Sequence, residues 1–176
     1  VAGLALAVSV KGKPPQIDDA AITSTDNPPL LSSFGFFNGG ADRPASALLP
    51  YNLRTPLFTD YAEKQRFLYL PKGEKFTVDP DGRLIFPVGS ALIKSFGYPM
   101  LRASSTSSKP DYCCTADGWV ALPYVWKTDG SDAELKVAGC ANPPAIFKKP
   151  DGTQMRSAMP FPTRTSASNA IRPKTA

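Results

Sequence analysis

The residues with the most chemical potential in this chain are the charged group Asp60, Glu63, Lys64 and Arg66, which flanks Tyr61. Four ionisable side chains around one phenol can contact a ligand or a partner. The same composition also suits an ion-pair network on a solvated turn, and that structural reading is the expectation here. Trp119, Tyr124 and Trp126 offer a second possibility, a stacking surface for a sugar, although strand aromatics of this kind more often build a core. Asp79-Pro80-Asp81-Gly82 has the look of a cation loop, but it lacks the further spaced oxygens and the closing glutamate of a calcium loop and reads as a hairpin turn.

The chain contains no histidine. The commonest general base, the commonest metal ligand and the axial ligand of c-type haem are therefore missing. A Ser-His-Asp triad is impossible. No nucleotide fingerprint, Walker loop or nucleophile elbow is present. The three cysteines are Cys113, Cys114 and Cys140. Adjacent cysteines rarely pair with each other, which leaves one bridge from the pair to Cys140 open. No zinc spacing is present. The expectation is no catalytic residue, no metal site and no cofactor in this chain.

What must position these residues is a set of short strands. Nineteen prolines and thirteen glycines disfavour long helices. Ala62 to Arg66 reads as one helical turn. From Arg66 onward the turns are regular: Pro71-Lys72-Gly73, Asp79 to Gly82, Asp129-Gly130 and Asp151-Gly152. Between them lie strand candidates at 66–70, 75–78, 83–88 and 92–98, the last with one polar position on an otherwise apolar face. Trp119 to Trp126 reads as one strong strand, with Val120, Leu122, Tyr124 and Trp126 on a common face, and Leu135 to Ala138 returns from it. This grammar predicts a mostly β fold, an antiparallel meander forming a sandwich or small barrel. Phe34, Phe36 and Phe37 mark an aromatic cluster.

The organisation expected along the chain is in three parts. Residues 1–28 read as a signal-peptide remnant and linker: Val1 to Val10 is apolar, is followed by Lys11, and is too short to span a membrane. Residues 29–154 form the β-rich module. Residues 155–176 read as a disordered tail. The net charge of +5 is concentrated there, because Met155 to Ala176 carries +4 and no acid. Interleaved aromatics are absent from that tail, so nucleic-acid binding is not expected. Nor is any transmembrane segment. The polar run Ala103 to Tyr112 sits where the tryptophan strand needs a hairpin partner. If that run is scrambled, the strand is left with a free edge.

Several runs are similar to one family. They are Pro50-Tyr-Asn-Leu-Arg-Thr-Pro-Leu-Phe-Thr-Asp-Tyr-Ala-Glu-Lys64, Leu84-Ile-Phe-Pro-Val-Gly89, Trp119-Val-Ala-Leu-Pro-Tyr-Val-Trp126 and Asp132-Ala-Glu-Leu-Lys-Val-Ala-Gly139. The chain resembles the N-terminal β-rich module of exported bacterial diheme c-type cytochromes over residues 30–101 and 116–154. In that family the module precedes Cys-x-x-Cys-His haem sites. The resemblance implies a periplasmic or extracellular location, haem c in the intact protein and a downstream haem domain as the module's partner.

Two stretches depart from the family, about 103–115 and 155–176. The family has a Glu-Thr-Arg strand before the tryptophan strand, and a haem-attachment motif after the module. A change of reading frame supplies both. Thr165 to Ile171 can be written ACC-AGT-GCA-AGC-AAT-GCC-ATC, which two bases on reads Gln-Cys-Lys-Gln-Cys-His. The same shift on Ser105 to Cys114 permits a Glu-Thr-Arg strand. The function this implies is a non-catalytic structural module of an exported electron-transfer protein, without the haem sites in this chain. The alternative is a secreted β-module that binds carbohydrate or a protein partner, which requires Trp119 or Trp126 to face solvent.

Overall fold

A computed structural model describes residues 16–58, 61–97, 108–115, 118–136, 145–149 and 151–157. The expectations for Val1 to Val10, Asp60, the cysteine bridge and the chain beyond Ser157 lie outside the described residues.

The chain enters through a short helix α1 (Asp19–Thr23) and a 3-10 turn (Leu31–Phe34). Strands β1 (Leu49–Pro50), β2 (Glu63–Tyr69), β3 (Thr77–Val78), β4 (Leu84–Ile85) and β5 (Ala91–Gly97) follow. After them come β6 (Ser108–Thr115), β7 (Gly118–Leu122), β8 (Tyr124–Trp126), β9 (Ala133–Leu135), β10 (Ala145–Lys148) and β11 (Gln154–Ser157). The fold is mostly β, as composition and turn spacing indicate. All described pairings are antiparallel, in one five-stranded sheet ordered β1-β2-β5-β6-β7 and three two-stranded sheets, β3-β4, β8-β9 and β10-β11. Among the described residues the sheets stay small and open, and no closed barrel is formed.

The central pairing is β2 with β5, seven residues in register from Glu63↔Gly97 to Tyr69↔Ala91. Strand alternation sends Phe67, Tyr69, Ala91 and Ile93 to one face, where all are buried. That face packs on Ile17, Ile22, Leu31, Phe34, Phe36 and Phe37 from the N-terminal segments, together with Tyr124, Trp126 and Ala133 from β8 and β9. The three phenylalanines seen in the sequence are the hub of this core. Phe34 and Phe36 stack at 5.2 Å, Phe34 meets Tyr124 edge-on at 6.0 Å, and Phe37 meets Trp126 edge-on at 5.6 Å. Such offset and T-shaped pairs are the geometries that ring quadrupoles favour.

Five sequence expectations are corrected. Residues 16–28 are not linker: Asp18 caps α1 by accepting from the Ala20 and Ala21 N–H groups, and Ile17 and Ile22 are buried. The tie is made by backbone as well, since Asp18 N–H donates to the Phe34 carbonyl and Tyr124 Oη to the Pro28 carbonyl. Ala62 to Arg66 is not a helical turn, because residues 63–66 belong to β2 and take their hydrogen bonds from β5. Trp119 to Trp126 is not one strand. Pro123 has no N–H to offer a ladder, and the chain changes sheet there. The tryptophan strand is not left without a partner, since β6 pairs with β7 from Asp111↔Leu122 to Thr115↔Gly118. Lastly, residues 155–157 are strand rather than tail.

The turns fall where the sequence puts them. Gly82 donates to the Asp79 carbonyl with φ +79°, and Asp79 Oδ1 accepts from the Arg83 N–H. The Asp129-Gly130 turn closes by Gly130 N–H to the Lys127 carbonyl.

At the β10–β11 hairpin, Asp151 accepts from the Thr153 hydroxyl and N–H. These bonds, helped by Lys149, hold its carboxyl down at about 2. A carboxyl depressed in the fold contributes stability that is present above its ordinary value near 3.8 and is lost as pH falls towards 2. The Asp151→Asn variant is therefore expected to show a shallower loss of stability across that interval, measured as the denaturant midpoint against pH.

Candidate functional site

The second face of the five-stranded sheet is where the charged residues gather. On β2, Lys64, Arg66 and Leu68 point away from the phenylalanine core, and on β5 so do Leu92, Lys94 and Phe96. The register sets Arg66 directly opposite Lys94 and Lys64 opposite Phe96. Lys94 Nζ rests 4.5 Å from the centroid of the Phe96 ring, a cation–π contact. Beyond β5 the backbone register continues from Lys94 to Lys109 on β6.

Burial differs along this row. Arg66 is only 8% exposed, whereas Lys64 and Lys94 are half-buried. Desolvation first, and then the positive charges of Arg66 and Lys64, pull Lys94 below the ordinary lysine value. Tyr51 adjoins the row. Its N–H donates to the Arg66 carbonyl at 3.0 Å, one residue beyond the β1 ladder. Burial raises the Tyr51 phenol, and the Arg66 charge pulls the other way. Lys64 Nζ donates to the Leu57 carbonyl, which ties the segment after Tyr51 to this edge of the sheet.

The predicted charged group is thus only partly assembled. Lys64 and Arg66 share a face, while Glu63 sits on the other face and is exposed. Among the described residues, no ion pair involves Glu63, Lys64 or Arg66, so the expected ion-pair network is not found there. Tyr61 has a left-handed backbone, φ +61°, and holds Phe58 edge-on at 5.1 Å and Phe147 at 6.3 Å. Sequence reasoning missed Lys94 as part of the group. Its signal was there: one cation inside the otherwise apolar alternation of β5.

The two tryptophans do not form a common surface. Trp126 is 7% exposed and packs on Phe37 in the core. Trp119 is half-buried on β7, with its ring edge-on to Phe86 at 5.6 Å. Phe86 in turn contacts Phe76 at 5.9 Å, which anchors the β3–β4 hairpin through these rings.

That hairpin is the other unusual surface. Phe76, Val78, Leu84, Ile85 and Val88 are 41–60% exposed over about a dozen residues of chain. Scattered exposed apolar side chains are ordinary, but here five fall within one hairpin, with Val78 and Leu84 on one face and Ile85 on the other.

Among the described residues, no three carboxylate or cysteine side chains converge as a metal site, and no helix is long and apolar enough to cross a membrane. Comparisons with known protein families, with curated proteins and with solved structures find no match.

Proposed function

We propose that this chain is the non-catalytic, β-rich structural module of an exported c-type cytochrome-like electron-transfer protein, and that it docks against a haem-bearing domain encoded downstream. The observation that carries the docking reading is the β3–β4 hairpin, whose apolar side chains project outward instead of into the phenylalanine core. A hairpin of two-residue strands is too short to be stable alone. It is held through Phe76, Phe86 and Trp119, which leaves its outer side chains free to bury against a neighbouring domain. Without histidine the chain itself offers no Cys-x-x-Cys-His attachment site, so the haem chemistry belongs to the partner. Covering a haem edge lowers its solvent exposure, and exposure is one of the terms that sets its potential. The family resemblance supports the exported location. Stacking on carbohydrate is disfavoured by the burial of Trp126 and by the engagement of Trp119 with Phe86.

The first test is sequencing the source DNA across codons 103–115 and 155–176 and onward. Single-base corrections that restore a Glu-Thr-Arg strand and a Cys-x-x-Cys-His motif support the proposal. An uncorrected frame with no haem motif downstream overturns it.

The hairpin itself can be checked separately. The double variant Val78→Lys/Ile85→Lys is expected to unfold within about 0.5 kcal/mol of the parent, because both side chains are already exposed. In the same variant, association with the downstream domain, measured by calorimetric titration, is expected to weaken at least tenfold.

A further inference from the structure

The row of cations on the second sheet face is an arrangement that strand pairing by itself disfavours. Like charges directly opposite one another across two strands repel, and here the opposed pair is Arg66 and Lys94. Lys64 adds a third positive charge on the same face. Arg66 is more than nine-tenths buried, yet none of its nitrogens is within ion-pair distance of a described carboxylate. The one acid beside it in sequence on β2, Glu63, is turned to the opposite face. Like charges crowded on one largely buried face raise its electrostatic energy, and an anion placed among them would lower it.

We propose that this face binds a phosphate-class oxyanion, held between the Arg66 fork and the ammonium groups of Lys94 and Lys64, with the Tyr51 hydroxyl as a further donor. The planar guanidinium can offer two parallel N–H groups to a tetrahedral oxyanion, and the lysines act as point charges beside it. A dianion matches the site better than a single carboxylate, which would leave two of the three cations uncompensated. Lys94 is held below the ordinary lysine value first by desolvation and then by the Arg66 and Lys64 charges, and a bound anion would offset the second of these causes. The site lies on a different part of the fold from the β3–β4 hairpin, and its existence does not depend on the haem-domain reading.

The experiment uses the full chain. Calorimetric titration with inorganic phosphate at near-neutral pH is run at constant ionic strength in chloride, beside parallel titrations with acetate and succinate. Saturable phosphate binding, half-saturating at least tenfold below either carboxylate, is the expected result, together with a rise in the unfolding midpoint as phosphate approaches saturation. Lys94→Gln and Lys64→Gln should each weaken phosphate binding about tenfold, the usual order for losing one charge-assisted hydrogen bond. Both variants are checked for cooperative unfolding in chloride, and either one that folds suffices. Succinate binding as tightly as phosphate would overturn the phosphate class. No saturable binding, or binding unchanged in a folded Lys94→Gln variant, would overturn the site.

Discussion

Replacing Phe36 by alanine is expected to destabilise the fold by about 3–5 kcal/mol, the usual range for a fully buried phenylalanine. Phe36 is 0% exposed. It stacks on Phe34 at 5.2 Å and tilts against Tyr69 of β2 at 6.4 Å. Its carbonyl is also committed, accepting from the Ala45 N–H at 2.9 Å. The side chain therefore joins three parts of the chain that are far apart in sequence: the N-terminal segment, the central sheet and, through Phe34 and its T-shaped contact with Tyr124, strand β8. Deleting the ring removes transfer free energy and leaves a cavity walled by other rings, which cannot collapse far without breaking their own contacts. A Phe36→Leu variant keeps most of the volume and should recover more than half of the loss. Denaturant unfolding of the three proteins checks both numbers. A cost below 1 kcal/mol for the alanine variant would mean that this aromatic hub is not the core.

How much of this was legible in the sequence depends on whether local residues or distant ones decide the outcome. Asp79 to Gly82 is a turn because Asp79 caps it and Gly82 takes a positive φ, both local facts. The same holds for Asp129-Gly130. Strand β5 was legible because alternation is a local pattern that burial merely completes. The misread elements were settled by partners far away. Glu63 to Arg66 has a sequence compatible with a helical turn, but its backbone groups are taken by β5, about thirty residues on. Residues 16–28 looked like linker because a five-residue helix has too short a period to detect, while Ile17 and Ile22 are buried by Phe34 and its neighbours. Strand β6 has a polar sequence with a proline in it, yet a sheet ladder is made by backbone, and β5 and β7 both supply it.

The candidate site shows the same division. That Lys64 and Arg66 share a face follows from alternation once β2 is known to be a strand. Their meeting with Lys94 requires the register between β2 and β5, which no local pattern contains. The sequence therefore supplied a charged group centred on Tyr61, and the register moved its centre to Arg66. Burial then reversed its expected meaning. A solvated network of both signs would tolerate any one substitution, whereas Arg66, Lys64 and Lys94 are three like charges on one sheet face and repel one another.

The N-terminal segment offers the sharpest single test of the packing. Gly35 follows the 3-10 turn with φ +71°, and its N–H donates to the Ser32 carbonyl at 3.0 Å. A Cβ added there would lie 2.6 Å from the Gln16 carbonyl oxygen and 3.2 Å from the Ile17 Cα. Gly35→Ala thus meets two penalties, the left-handed backbone of a non-glycine residue and a collision with main chain that cannot rotate away. Together they are expected to cost about 2–5 kcal/mol. Gly82 provides the internal control. Its φ is +79°, but a Cβ there meets nothing within 4 Å, so Gly82→Ala should cost only about 1 kcal/mol from backbone strain. The difference between the two denaturant midpoints isolates the close approach of residues 16–17 to the turn. If the two alanine variants lose the same stability, the segment around Ile17 does not pack against Gly35, and the folded body begins later in the chain. If Gly35→Ala loses the larger amount, the N-terminal segment is part of the core that holds the central sheet, and through it the Arg66 row, in place.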